Sequence, residues 1–227
     1  MKTKLLLTAL LTFTFSTLSF AADTLESLTQ KSAVSANVLR QIMQIPERSI
    51  PLDLLHEATC IATIPNVIRV GLVFGGRYGK GLVSCRTAGG LWSNPSYITI
   101  AGGSWGAQIG FETIDLVLVF VAPRSAERFT HNNFTIGVDA SVAAGPLGRD
   151  AQAGTDYKVS SEIYSYSRSR GLFAGLVIEG SKLEANAEAN AIVYGSNVMV
   201  QDLLMTKARR TPAAVNKYLR ELRNHIR

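Results

Sequence analysis

Histidine and cysteine are scarce in this chain, at 3 and 2 of 227 residues. His56, His131 and His225 lie far apart, and two cysteines without clustered histidines do not make a zinc site. No metal or other cofactor is expected. Long apolar runs are missing beyond the N-terminus. The best internal stretch, Ile114 to Ala122, carries Asp115 and is strand-sized, well short of the about 18 residues a spanning helix needs. Charge is sparse too: 18% charged against 47% apolar residues excludes a disordered chain. The 19 glycines follow no period of three, which excludes a collagen-like repeat. What remains is a chain long enough for one domain with a real core.

Residues 1–21 have the layout of a secretory signal. Lys2 and Lys4 precede an apolar run from Leu5 to Leu11, extended by Phe13, Phe15, Leu18 and Phe20. Small residues at Ser19 and Ala21 place the cleavage after Ala21, leaving residues 22–227 as a single mature domain. The expected location is outside the inner membrane, in a periplasm or on the periplasmic face of an outer membrane. An oxidising compartment would let Cys60 and Cys85 pair. That bridge would close a loop of about 25 residues and contribute roughly 3 kcal/mol in a chain-entropy treatment. The alternative is two buried thiols.

The net charge of +6 is unevenly placed. The tail holds Lys207, Arg209, Arg210, Lys217, Arg220, Arg223 and Arg227 against Asp202 and Glu221, while the rest of the mature chain is close to neutral. Thr211-Pro212 starts a helix, with threonine as the cap and proline in the first turn. Val215, Leu219, Leu222 and Ile226 then recur at helical spacing and form one apolar stripe. Such a helix can lie in a lipid interface with its cations on head groups. It can equally pack its stripe on the domain and show its charges to water. Export and a near-neutral body argue against nucleic-acid binding.

The body alternates between two periods. Asp23 to Ile45 is predicted as a helix, capped by Asp23 with Glu26 at the capping-box position, and a short helix follows Pro51. From Cys60 to Gly180 short Val-, Ile- and aromatic-rich segments predict strands: Cys60 to Ile64, Val67 to Phe74, Gly81 to Arg86, Tyr97 to Ala101, Trp105 to Phe111 and Ile114 to Val121, then Phe134 to Ala144, Tyr157 to Tyr166 and Leu172 to Ile178. Ser125 to Asn132 supplies a helical turn or two, and Leu183 to Val193 and Val198 to Lys207 return to helix. Spacers too short for crossovers imply antiparallel pairing. The fold class is α+β: a curved antiparallel sheet or half-open barrel with N-terminal and C-terminal helices.

Two motifs invite a chemical reading. Gly102-Gly103-Ser104-Trp105-Gly106 satisfies the pattern of a hydrolase nucleophile elbow, but that elbow needs a helix after the serine, and Ala107 to Phe111 continues as strand. Ser104 is therefore expected to be a turn serine. Gly75-Gly76-Arg77-Tyr78-Gly79-Lys80-Gly81 fails the Walker pattern at both Phe74 and Gly81. It is expected to be a glycine-rich hairpin displaying Arg77 and Lys80, either to water or to an anion such as a lipid phosphate.

Several blocks in order resemble one family. Cys60-Ile61-Ala62-Thr63-Ile64-Pro65-Asn66-Val67 and the stretch Gly71 to Gly81 resemble the opening of the SYLF domain, the module shared with a yeast cortical actin-patch protein. Gly102 to Gly110 with Thr113 to Val119, Asp139 to Arg149, Tyr166 to Gly175, Asn190 and Tyr194-Gly195 resemble its later blocks. The likeness runs from about Pro51 to Leu204. It implies a non-catalytic domain that binds membrane lipids, with an amphipathic N-terminal helix, here Asp23 to Ile45, taking part. Some eukaryotic members also bind actin, which is not expected in a periplasm. The reading that follows is a protein of the bacterial cell envelope that binds anionic phospholipid or a membrane surface. Head-group candidates are Arg77, Lys80, Lys207, Arg209, Arg210, Lys217 and Arg220, and apolar membrane-facing candidates are Val215, Leu219, Leu222 and Ile226. The alternatives are an adaptor docking on an envelope protein and a serine hydrolase using Ser104.

Overall fold

The computed structural model describes residues 22–44, 49–71, 74–105, 110–130, 134–146, 161–168, 178–205 and 210–225. The signal-like residues 1–21, and with them Lys207, Arg209 and Ile226, lie outside the described residues.

Helix α1 (Leu25–Met43) begins one residue later than the sequence predicts. Thr24, not Asp23, is the cap. Its hydroxyl accepts from the Ser27 amide, and Ser27 Oγ accepts from the Thr24 amide, so serine closes the box in place of Glu26. Asp23 is thereby free to pair elsewhere. Helix α2 (Leu52–Glu57) leads into four long strands, β1 (Cys60–Gly71), β2 (Phe74–Cys85), β3 (Ser96–Trp105) and β4 (Gly110–Phe120). After α3 (Pro123–Thr130) come β5 (Phe134–Thr135), β6 (Val142–Ala144), β7 (Ile163–Arg168) and β8 (Lys182–Ala185). Helices α4 (Ala187–Tyr194) and α5 (Val200–Met205), a 3-10 turn (Ala213–Val215) and α6 (Asn216–His225) complete the chain.

The strands form one curled sheet in the order β5-β8-β3-β2-β1-β4-β7-β6, an α+β half-barrel. Its pairs are antiparallel except β6 with β7, which is parallel. The predicted segment Trp105 to Phe111 is divided between β3 and β4. The predicted helix from Leu183 starts as β8, because Leu183 pairs with Ile100 and fills the core before Asn186 caps α4.

Strand β1 carries one residue more than both neighbours. Thr63 faces Leu82 and Ile68 faces Tyr78 on one side, while Ile64 faces Leu116 and Val67 faces Ile114 on the other. The bulge is at Asn66, whose φ of 53° is left-handed, and whose amide donates to Asp115 Oδ1 at 3.1 Å. Strand alternation sends the remaining residues to two cores. Ile61, Leu82, Tyr97, Val117 and Val119 meet α1, α2 and α6 on one face. Ala62, Ile64, Val83, Ile98, Leu116 and Phe120 meet Phe129, Phe134, Leu203 and Leu204 on the other.

The glycines at 75 to 81 are not a turn, as the sequence predicts, but part of β2. A Cβ on Gly81 would lie 2.3 Å from the Thr63 carbonyl oxygen and 2.7 Å from Ile64 Cα. Glycine is there because the bent β1 backbone comes too close for any side chain. Cys60 and Cys85 face each other across β1 and β2 and are joined as a disulfide.

Candidate functional site

The sequence allows the apolar stripe of the tail helix to meet either a membrane or the domain. The stripe faces the protein: Val215, Leu219 and Leu222 are buried with α1 residues Leu28, Val38, Leu39 and Ile42. This corrects their assignment as membrane-facing residues. Each such side chain gains about 1.5–3 kcal/mol on burial, against about 1 kcal/mol for a cation near an anionic surface. Peeling α6 away would also expose the apolar face of α1 left behind. The apolar face of α1 is itself buried here, so neither terminal helix presents an apolar face to a bilayer in this conformation.

The cations of α6 point outward. Lys217, Arg220 and Arg223 recur every third residue along the exposed side, and Arg210 is exposed just before the helix. None of the four has a carboxylate partner among the described residues, because Glu221 is engaged by His225 Nε2 at 2.9 Å. The result is a ridge of positive charge above the helical face of the sheet.

Arg77 and Lys80 do not share a loop. They are strand residues of odd and even register, so they leave β2 on opposite faces. Arg77 is only 6% exposed, and its guanidinium donates to the Gly103 carbonyl at 3.4 Å. Burial, with the neighbouring Arg69, lowers its pKa. Lys80 donates to Asp23 Oδ2 at 2.8 Å and ties the start of α1 to the sheet. That hydrogen bond raises its pKa despite partial burial. Lys31 lies close by, its pKa lowered by burial and then by the charge of Lys80. The expected display of Arg77 and Lys80 toward one anion is therefore corrected: one is buried and the other is paired with a carboxylate.

Beyond Lys80 the helices no longer cover the sheet. The ends of β1, β2, β3 and β4 project together, and one face of this end is apolar and open. Val70 faces Phe111 on β4 and Gly76 on β2, while Ile68 faces Tyr78 and Thr113. Val70 is 53% and Phe111 67% exposed, with Ile68 at 39% and Tyr78 at 43%. The opposite face of the same rows carries Arg69, which pairs with Glu112 at 3.3 Å, and Arg77. Sequence reasoning passed over this apolar row. Its trace was the alternation Ile68-Arg69-Val70, set against glycines on the neighbouring strand.

Ser104 lies within β3 opposite Gly75, and the strand runs on to Trp105. It is a strand residue, not the turn serine the sequence predicts, and residues 106–109, where the helix of an elbow would begin, lie outside the described residues. Among the described residues no group of three or more His, Cys, Asp or Glu side chains is placed to hold a metal.

The amino-acid sequence that builds this arrangement is similar to those of known proteins. A family model described as "Ysc84: Las17-binding protein actin regulator" matches residues 101–225. The SH3 domain-containing YSC84-like protein 1 of Bos taurus is 34% identical over 198 residues, covering 85% of this chain and 58% of that protein. The chain belongs to the SYLF, or Ysc84, family. Two yeast SYLF proteins from Saccharomyces cerevisiae are similar as well. LAS seventeen-binding protein 3 is 36% identical over 170 residues, 74% of this chain and 37% of its own length, and Protein YSC84 is 35% identical over 196 residues, 83% and 42%. The chain thus spans roughly half the length of the curated SYLF relatives it matches, or less. Those relatives are named as binding or regulatory proteins rather than as enzymes.

Proposed function

We propose that this SYLF chain is a non-catalytic protein of the bacterial cell envelope that binds anionic phospholipid at a membrane surface. The observation that carries this reading is the outward row of Lys217, Arg220 and Arg223, with Arg210 beside it, on a helix whose apolar stripe is already buried. Such a row acts by charge on an intact fold. At about 1 kcal/mol per cation close to an anionic leaflet, the four contribute a few kcal/mol before ordering costs, and added salt weakens them. The signal-like start and the Cys60–Cys85 disulfide agree with export to an oxidising compartment.

The test is co-sedimentation with vesicles of phosphatidylglycerol against vesicles of phosphatidylcholine alone. The protein should pellet with the first and not the second at low salt. Reversal of Lys217, Arg220 and Arg223 to glutamate should abolish pelleting without lowering the thermal midpoint. An absence of binding to phosphatidylglycerol at low salt removes the reading. The yeast relative's name records binding to Las17, which favours an adaptor role as the second reading. A specific envelope protein captured equally well by the charge-reversed variant would support that role instead.

A further inference from the structure

The geometry points to the exposed end of the four-stranded sheet as a shallow membrane-inserting element, with Val70 and Phe111 at its front and Ile68 and Tyr78 one row behind. This rests on the membrane reading above and adds the part of the molecule that enters the lipid.

Four observations converge. Across β1 to β4 the open face of these rows carries no charge: its other members are Gly76, Gly103, Ala101 and Thr113, and the first cation along the row of Ile68 and Tyr78 is the exposed Lys182 on β8, opposite Ala101. Its apolar residues are contiguous across β1, β2 and β4, and such a patch marks an interaction surface rather than scattered surface residues. The central strands β1 and β2 are paired on both sides to their last described rows, where Gly71 meets Gly75 and Gly110, and Gly75 meets Ser104. The backbone polar groups of these two strands therefore have partners before leaving water, as lipid requires, whereas among the described residues β4 has no second neighbouring strand before Asp115, so Phe111 lies on an edge that suits only shallow, head-group depth. The two apolar rows are two residues apart, about 7 Å at about 3.3 Å per residue. That depth suits an interfacial element, which sinks about 5–10 Å.

Charge selects a lipid surface over a second copy or an apolar protein groove. The cationic ridge of α6 stands on the same side of the sheet as the open rows. On the other face Arg69 is paired with Glu112 and Arg77 is buried, so the cations available to phosphates are those of the α6 ridge, and Tyr78 supplies an amphipathic ring at the boundary. The patch is open because α1 starts at the level of Lys80, where Asp23 is held.

The test uses the exported, processed protein and vesicles of phosphatidylglycerol and phosphatidylcholine mixed. Cys60 and Cys85 are bonded, so a Val70→Cys variant carries one reactive thiol for an environment-sensitive fluorophore. Its emission should shift to the blue with vesicles and be quenched by lipids brominated high on the acyl chain. The double variant Val70→Ser with Phe111→Ser should lose about tenfold or more in partitioning, since apolar burial dominates such binding. Both positions are exposed, and the circular dichroism melt should not move. If the wild-type protein binds while the double variant binds equally and the probe is not quenched, insertion is overturned and surface binding stands. If the wild-type protein does not bind these vesicles at all, both readings fall. If the double variant instead turns a dimer into a monomer in sedimentation and leaves vesicle binding unchanged, the face joins two copies and the proposal is overturned.

Discussion

The phenol of Tyr218 on α6 reaches through the helical layer and donates at 3.1 Å to Thr63 Oγ1 on β1, the last residue of that strand in register with β2 ahead of the bulge. The Ile61 and Leu82 carbonyls lie 3.3 and 3.4 Å from the same oxygen. One buried hydroxyl thus registers the tail helix against the two central strands. Tyr218→Phe should keep the packing and lose about 1–2 kcal/mol, since Thr63 Oγ1 stays buried without its donor. Tyr218→Ala should lose about 3–5 kcal/mol through the cavity it leaves. Denaturant titration of both variants separates the hydroxyl from the ring.

Alkaline pH should unfold the protein cooperatively. Burial raises the pKa of Tyr218, with the Thr63 hydrogen bond partly offsetting it, and burial also raises those of Tyr97 and Tyr194. The unfolded chain releases these protons near the ordinary value of about 10, and the folded chain holds them well beyond it. Stability is therefore intact below about pH 10 and falls as pH rises above it, by up to about 1.4 kcal/mol per pH unit for each tyrosine. Phenolate absorbance and loss of circular dichroism should rise together. Free titration of all tyrosines in a still-folded protein would contradict this.

Reduction of the disulfide should weaken the fold without changing its surface. Cys60 and Cys85 are buried and 25 residues apart, so opening the bridge should cost roughly 3 kcal/mol through the unfolded chain. Denaturation midpoints with and without a reductant measure it. Vesicle binding of the reduced protein, at temperatures where it is folded, should be unchanged.

Gly81→Ala should be among the most damaging single methyl additions. The added Cβ meets backbone atoms, the Thr63 oxygen and Ile64 Cα, which cannot move aside as a side-chain tip would. A loss of about 1–3 kcal/mol is expected. Gly76→Ala, whose Cβ meets nothing closer than 3.9 Å, is the control and should change little.

Much of the architecture was legible because helical and strand periods are local signals. The stripe Val215, Leu219, Leu222 announces a helix with one apolar face, and the valine- and isoleucine-rich segments announce the strands. What covers that stripe was not legible: period fixes which side of a helix is apolar, not whether protein or lipid meets it. The glycines of β2 were misjudged for a related reason. At Gly79 and Gly81 the cause is the approach of β1, a dozen or more residues earlier in the chain, whereas a turn is decided by its own residues. The open apolar row is assembled from Ile68, Val70, Tyr78 and Phe111, which no single window of sequence contains. Arg77 and Lys80 looked like neighbours on a loop, and strand alternation sent them to opposite sides.

Asn66 acts as a polarity inverter for the chain that follows it. Up to Ile64 the even-numbered residues of β1 turn away from the helices; after the inserted residue the odd-numbered ones do. Deleting a single position there would exchange the sides of everything from Val67 to Gly71, sending Arg69 to the oily surface and Ile68 and Val70 to the charged one. The two-sidedness of the protruding end is thus encoded by a count of residues rather than by their kinds, and a homologue that keeps every side chain but loses that one position would present its end inside out.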